Sequence, residues 1–250
     1  MAQAANPLAG RTAVVTGAAG TLGLVIARAL LEDGARVALV DVDALRLDNL
    51  IRFLRGDTLA VSCDVSDPTS VRNAFTNVEL NLGAVDILVN QASMRSPEKA
   101  EAASDETWRR MLATNVEGAA YWARAVLPGM RQRKWGRILN IGCLAMPADA
   151  PPEGAALAAA RGAIAELTRA LAREAAADGV TVNALAPAAM ATPSLDQLND
   201  AQRRQVLARV PMGRPCEPHE FAHAVRFLVA PDAGFVTGQV IAIDGGWQLA

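Results

Sequence analysis

A short glycine-rich turn holds the residues best suited to chemistry. Thr16-Gly17-Ala18-Ala19-Gly20-Thr21-Leu22-Gly23 follows the apolar run Ala13 to Thr16 and leads into a helical stretch. Glycines at Gly17, Gly20 and Gly23 permit a tight turn, close approach of backbone to a pyrophosphate, and close packing of helix on strand. The N-terminus of the helix that follows then offers its amides to an anion. A glycine-rich turn alone is a weak signal, but its place directly after a strand strengthens it. The plain alternative is an ordinary strand-to-helix turn with cap residues. Asp41 argues against it. It ends the second apolar run, where a carboxylate can accept hydrogen bonds from the adenosine ribose hydroxyls. Its charge would repel a 2′-phosphate, so NAD is expected over NADP.

These residues need a scaffold, and the hydrophobic pattern supplies one. Apolar runs at Ala13–Thr16, Arg36–Val40, Leu59–Cys63, Val85–Val89, Arg137–Ile141, Val180–Leu185 and Val240–Ile243 read as strands. Helical stretches separate them. One runs from the glycine turn to about Asp33 and another starts near Ala44. A third starts at Asp67-Pro68, with Asp as cap and Pro in the first turn. Ser104, followed by Asp105 and Glu106, opens a long helix to about Arg133. An Ala-rich helix covers Gly154 to Ala177, and a short one lies near Asp200. Continuous apolar strands alternating with helices predict a doubly wound α/β domain over residues 1–250, with about seven parallel strands covered on both faces.

Composition narrows the function classes. Of 250 residues, 52% are hydrophobic, enough for a large core, and the formal net charge of −2 gives no basic footprint for nucleic acid. No apolar run approaches the length of a membrane span, and Met1 to Gly10 has neither the basic start nor the apolar run of a secretory signal. Cys63, Cys143 and Cys216 are odd in number and far apart, which fits reduced thiols in a cytoplasmic protein. His219 and His223 share a helix face, but no neighbouring pattern makes them metal ligands.

The chain resembles the short-chain dehydrogenase/reductase family along nearly its whole length. Cys63-Asp64-Val65 resembles the family's adenine-contacting segment, and Asn90-Gln91-Ala92-Ser93 a drifted Asn-Asn-Ala-Gly. Asn115-Val116-Glu117-Gly118 matches the Asn-x-x-Gly of the family's long central helix. Gly136 to Ile141 matches the strand leading to the catalytic Ser. Pro211-Met212-Gly213-Arg214, Thr237-Gly238-Gln239 and Asp244-Gly245-Gly246 match its C-terminal part. The resemblance implies a single-domain Rossmann fold, with residues 190–213 as a substrate lid. It implies NAD contacts at Gly17, Gly20, Thr21, Leu22, Gly23, Asp41, Asp64, Val65, Asn90, Ala92, Arg161, Pro187 and Thr192. Thr21 replaces one customary glycine, and Ser93 and Ala188 replace two more. Gly20 keeps a spacing that resembles the family's extended branch, which still binds dinucleotides, whereas Ser93 and Ala188 place side chains where backbone normally approaches the ligand, so NAD binding is expected to be weakened or lost.

The larger departure is catalytic. The family uses Asn, Ser, Tyr and Lys, with Tyr exchanging the proton while hydride moves to or from the nicotinamide. By the resemblance these positions hold Asn115, Cys143, Leu157 and Arg161. The chain has one tyrosine, Tyr121, six residues after Asn115 and turned away from it on an ideal helix. Leu157 cannot exchange a proton. Arg161 keeps a positive charge and a planar shape suited to a ribose or a carboxylate. A small structural Cys is the better reading of Cys143. The expectation is therefore a non-catalytic subunit of an NAD-dependent alcohol or 3-hydroxyacyl-type dehydrogenase complex, in a homo- or heterotetramer with an active homologue. Its interface should bury Tyr121, Trp122 and the small residues of Ala155–Ala165. The alternatives are an enzyme with a displaced acid, for which Asp149 and Glu153 are candidates, and an NAD-binding regulatory protein.

Overall fold

The computed structural model describes residues 6–96, 98–142 and 154–249. Seven strands make one parallel sheet: β1 (Thr12–Thr16), β2 (Arg36–Asp41), β3 (Thr58–Ser62), β4 (Val85–Asn90), β5 (Gly136–Ile141), β6 (Val180–Pro187) and β7 (Val240–Ile243). Their order is β3-β2-β1-β4-β5-β6-β7. Val15 of β1 pairs with Leu39 of β2 on one side and Val89 of β4 on the other. The strand order therefore reverses between β1 and β4. In such sheets ligands bind in the crevice at the carboxyl ends of the strands flanking the reversal.

Side-chain alternation along the strands explains the two covering layers. Ala13 and Val15 of β1 pack with Ile26 and Leu30 of α1 (Thr21–Glu32), and with Leu47 of α2 (Ala44–Ile51). Val14, one residue apart, points to the other face. There it joins Val71 and Val78 of α3 (Pro68–Leu82). Three further helices follow: α4 (Asp105–Leu112), α5 (Gly118–Gln132) and α6 (Ala155–Ala175). Trp122 and Val126 of α5 and Ala172 of α6 complete the Val14 layer. Beyond β6 come α7 (Pro193–Asp196), α8 (Asp200–Leu207) and α9 (Pro218–Val229), whose Phe221 and Val225 close the first layer.

Local chemistry sets the helix starts. The Asp67 carboxylate accepts from the Thr69 amide with Pro68 in the first turn, and the Ser104 hydroxyl accepts from the Thr107 amide. Helix α9 is given no bounds by the sequence beyond the helix face expected to carry His219 and His223, although its reciprocal Glu217–Glu220 capping box is written there. The long helix expected from Ser104 is also divided. Residues Ala113–Glu117 form a π-helical turn between α4 and α5, and Asn115 sits inside it. Such turns often mark functional positions, and hydrophobic periodicity does not reveal them. Trp122 corrects an expectation. It is 0% exposed within the chain's own core and so has no surface to give to a subunit interface. Among the described residues, no helix is long and apolar enough to cross a membrane.

Candidate functional site

The first half of the crevice gathers around β1, β2 and β3. Gly17 adopts φ +66°, and a Cβ there would lie 2.8 Å from the Ala92 Cα, so the turn touches the end of β4 backbone to backbone. A Cβ at Gly23 would lie 2.4 Å from the Gly17 carbonyl oxygen. Both contacts require glycine. The Thr16 hydroxyl accepts from the Gln91 and Ala92 amides at 3.0 and 3.1 Å, which fastens the same junction. Asp41 closes the turn from the β2 side. Its Oδ2 accepts from the Ala19 amide at 3.0 Å and its Oδ1 from the Asp43 amide at 3.1 Å. Each oxygen keeps a lone pair for a further donor.

A cleft of about 310 Å³ opens here, lined by Gly17, Asp41, Val42, Asp64, Val65 and Ala92 among others. Val42 is 70% exposed, a large apolar side chain open to the cleft, and Asp64 is held by Ser66. Burial pushes the Cys63 thiol up, so it is an inert wall and not a nucleophile. Thr21 and Leu22 open α1, so their amides lie at the positive end of that helix.

The second half lies at the ends of β4 and β5. A small cavity of about 40 Å³ is lined by Ser93, Arg95, Asn115, Gly142, Leu157 and Arg161, with an apolar floor. Leu157 is 8% exposed and packs in a cluster with Met111, Ala156 and Met94. Asn115 is committed to the neighbouring loop: its Oδ1 accepts from the Met94 amide at 2.7 Å and its Nδ2 donates to the Met94 carbonyl at 2.9 Å. Arg161 follows Leu157 by one turn of α6 and reaches the same cavity.

Other expected positions lie elsewhere. The Asn90 side chain is buried and donates to Asn140 Oδ1 at 2.9 Å. Asn140 in turn donates to the Thr168 hydroxyl, so Asn90 heads a polar chain that ties β4 and β5 to α6. Pro187 ends β6 and Thr192 precedes α7, and neither lines the two cavities. Tyr121 donates its hydroxyl to Glu117 at 2.8 Å, and that carboxylate pushes the phenol up. Cys143, Asp149 and Glu153 lie outside the described residues. Sequence reasoning missed Met94, Arg95, Arg110 and Thr114, which line the cavities. Arg110 and Thr114 stand four apart, a spacing that puts them on one helix face. A larger cavity of about 510 Å³ lies beside β7, near Met212 and Cys216, away from the glycine turn.

The fold and the crevice define a dinucleotide-fold class, and the comparisons specify it. Residues 17–248 match the family model described as enoyl-(acyl carrier protein) reductase. The chain is 34% identical over 242 residues to 3-oxoacyl-(acyl-carrier-protein) reductase FabG of Vibrio cholerae, covering 97% of this chain and 99% of that one. It is 38% identical to galactitol 2-dehydrogenase (L-tagatose-forming) of Cereibacter sphaeroides, covering 97% and 96%. The crystal structure of gox2181 superposes with a TM-score of 0.92 at 33% identity, covering 97% of each chain. This chain belongs to the short-chain dehydrogenase/reductase family. The expectation of a non-catalytic supporting subunit is overturned by these relatives. Proteins similar over nearly the whole chain are named as a reductase and a dehydrogenase, not for a supporting role.

Proposed function

We propose that this chain is a nicotinamide-dinucleotide-dependent oxidoreductase acting on a carbonyl–alcohol pair, with NAD favoured over NADP. The observation that carries the reading is Asp41. Its carboxylate is fixed at the mouth of the cleft by two backbone amides and keeps acceptor capacity on both oxygens. The residues present fit the group. Gly17 and Gly23 bring backbone close where side chains would collide, the first amides of α1 suit a pyrophosphate, and Val42 and Val65 suit a flat base. Asp41 would meet ribose hydroxyls and repel a 2′-phosphate. The bound dinucleotide would supply or accept the hydride.

The chain's own residues do the remaining work in a changed way. Leu157 and Arg161 stand where the family resemblance puts Tyr and Lys, and we read the member as altered at that pair. Leu157 shields the floor from water without moving a proton. Arg161, always charged, stabilises negative charge developing on a substrate oxygen. Water entering the cavity then protonates that oxygen. Asn115 holds the Met94 loop as the wall of the cavity. Asp149 or Glu153 would be the donor in a variant of this route. Residues 190–213 serve as the lid in the same reading, and a cytoplasmic homotetramer is its assembly. The exposed small residues Ala155, Ala158, Ala159 and Gly162 on one face of α6 support close helix approach between copies.

Calorimetry with NAD and NADP tests the cofactor, and NAD should bind more tightly. Turnover of NADH is then followed with a 3-oxoacyl thioester and a ketohexose, the substrate types in the relatives' names. A slow, carbonyl-dependent oxidation of NADH is expected. Tighter binding of NADP, or rates equal to a protein-free control with every carbonyl tried, would refute the reading.

A further inference from the structure

Asp41, Asp64 and Arg110 are the charged groups among the described residues that line the cleft of about 310 Å³. The two acids come from the end of β2 and the segment after β3, whereas Arg110 comes from α4. We infer that the Arg110 guanidinium lies flat on the adenine of a bound dinucleotide, with Val42 on the other face of the base, and so helps to select that base. The inference rests on the reading above that this cleft takes the dinucleotide.

The helix separates two adjacent arginines. Arg109 pairs with Asp105, one turn back, at 3.4 Å. Arg110 instead shares the cleft wall with Thr114, one turn further on. Among the described residues its guanidinium makes no ion pair or hydrogen bond, with either acid or with any other group. The acids are served locally. Asp41 accepts from the Ala19 and Asp43 amides, and Asp64 from the Ser66 amide and hydroxyl at 2.9 and 2.6 Å. An exposed arginine needs no partner beyond water, but the other material of this cleft argues for one. Val42 is 70% exposed, and Val65 lines the same space. A flat base covers the valine with one face and offers its π-electrons to a cation with the other. Guanidinium suits that face because it is planar and weakly hydrated. A 2′-phosphate would also suit the fork, but in this cleft it would meet two carboxylates, and an uncharged base does not.

NAD, NADP, AMP and ribose 5-phosphate are titrated by calorimetry into the full chain and its Arg110 variants; AMP and ribose 5-phosphate differ only by the base. Arg110→Ala should weaken NAD and AMP roughly 3- to 30-fold, the range for a cation on an aromatic face, and leave ribose 5-phosphate unchanged. Arg110→Phe, flat but uncharged, should bind NAD more tightly than Arg110→Ala does. Arg110 is exposed, so the variants should melt like the parent, which keeps the comparison clean. If the parent binds NAD and Arg110→Ala binds it equally well, the stacking inference falls and the dinucleotide reading stands. A loss confined to NADP, or an equal loss for ribose 5-phosphate, would place Arg110 on a phosphate and also overturn the inference. A parent that binds neither NAD nor AMP would sink the dinucleotide reading, and the inference with it.

Discussion

The two ends of the crevice have different materials. The end over β1, β2 and β3 is made from backbone: a glycine turn, the first amides of α1, and one carboxylate held by two amides. The end over β4 and β5 depends on particular side chains. There a leucine packs against two methionines, an arginine lines the cavity, and an asparagine is spent on a loop. The first end follows almost unavoidably from the doubly wound fold. The second changes with a few substitutions and leaves the fold intact, which is why shared architecture does not transfer chemistry.

The largest effect should come from placing a proton donor at the end built from side chains. Leu157→Tyr combined with Arg161→Lys should raise the NADH-dependent carbonyl rate by roughly 10²- to 10⁴-fold, the usual worth of a placed general acid. Stopped-flow absorbance would read it. A folded, NADH-binding double variant with an unchanged rate would mean that this end differs by more than two side chains.

The backbone-built end is tested next. Asp41→Ala should weaken NAD binding roughly 10-fold or more and abolish the preference over NADP. Equal affinities in parent and variant would break the contrast, because the one side chain on which that end relies would have proved idle. A smaller change should follow Asn115→Ala. Two hydrogen bonds to Met94 disappear, and the variant should lose about 1–3 kcal/mol in urea unfolding. An unchanged midpoint would show that the loop is held without it.

The smallest effect lies outside both ends and calibrates them. Arg214 and the Glu217 amide hold the exposed Glu220 carboxyl down, from an ordinary 4.5 to about 2. A depressed carboxyl stabilises the folded chain above its ordinary value. That stabilisation fades as pH falls from about 4.5 toward about 2. Glu220→Gln should therefore cost a small amount of stability near neutrality, and the difference from the parent should vanish as pH falls toward about 2. A large shift at pH 7 would contradict the exposed position of the pair.

Much of the fold is legible in the sequence. Strand β7 falls on Val240–Ile243 as the apolar run predicts, and Asp67 and Ser104 cap the helices they were expected to start. The glycine turn and Asp41 were legible too, because their spacing reflects backbone geometry that few other sequences satisfy. The π-helical turn at Asn115 was not, since one extra residue per turn leaves no mark in hydrophobic periodicity. The burial of Trp122 was not either. An aromatic residue on a helix can serve a core or an interface, and only the neighbours Val14 and Val126 decide between them.

The amino-acid sequence already settles which groups can carry charge or a proton. Leu157 has no proton to give, Arg161 is always charged, and Asp41 brings a carboxylate; these are properties of covalent structure that no packing reverses. The tertiary structure decides which of those groups meet. Arg95 and Arg161 are 66 positions apart in the chain, on a loop and a helix with no shared periodicity. They line one cavity because β4, β5 and β6 are successive neighbours in the sheet and α6 packs on β6. Proximity of that kind comes from long-range burial of apolar faces, and it cannot be read from spacing along the chain.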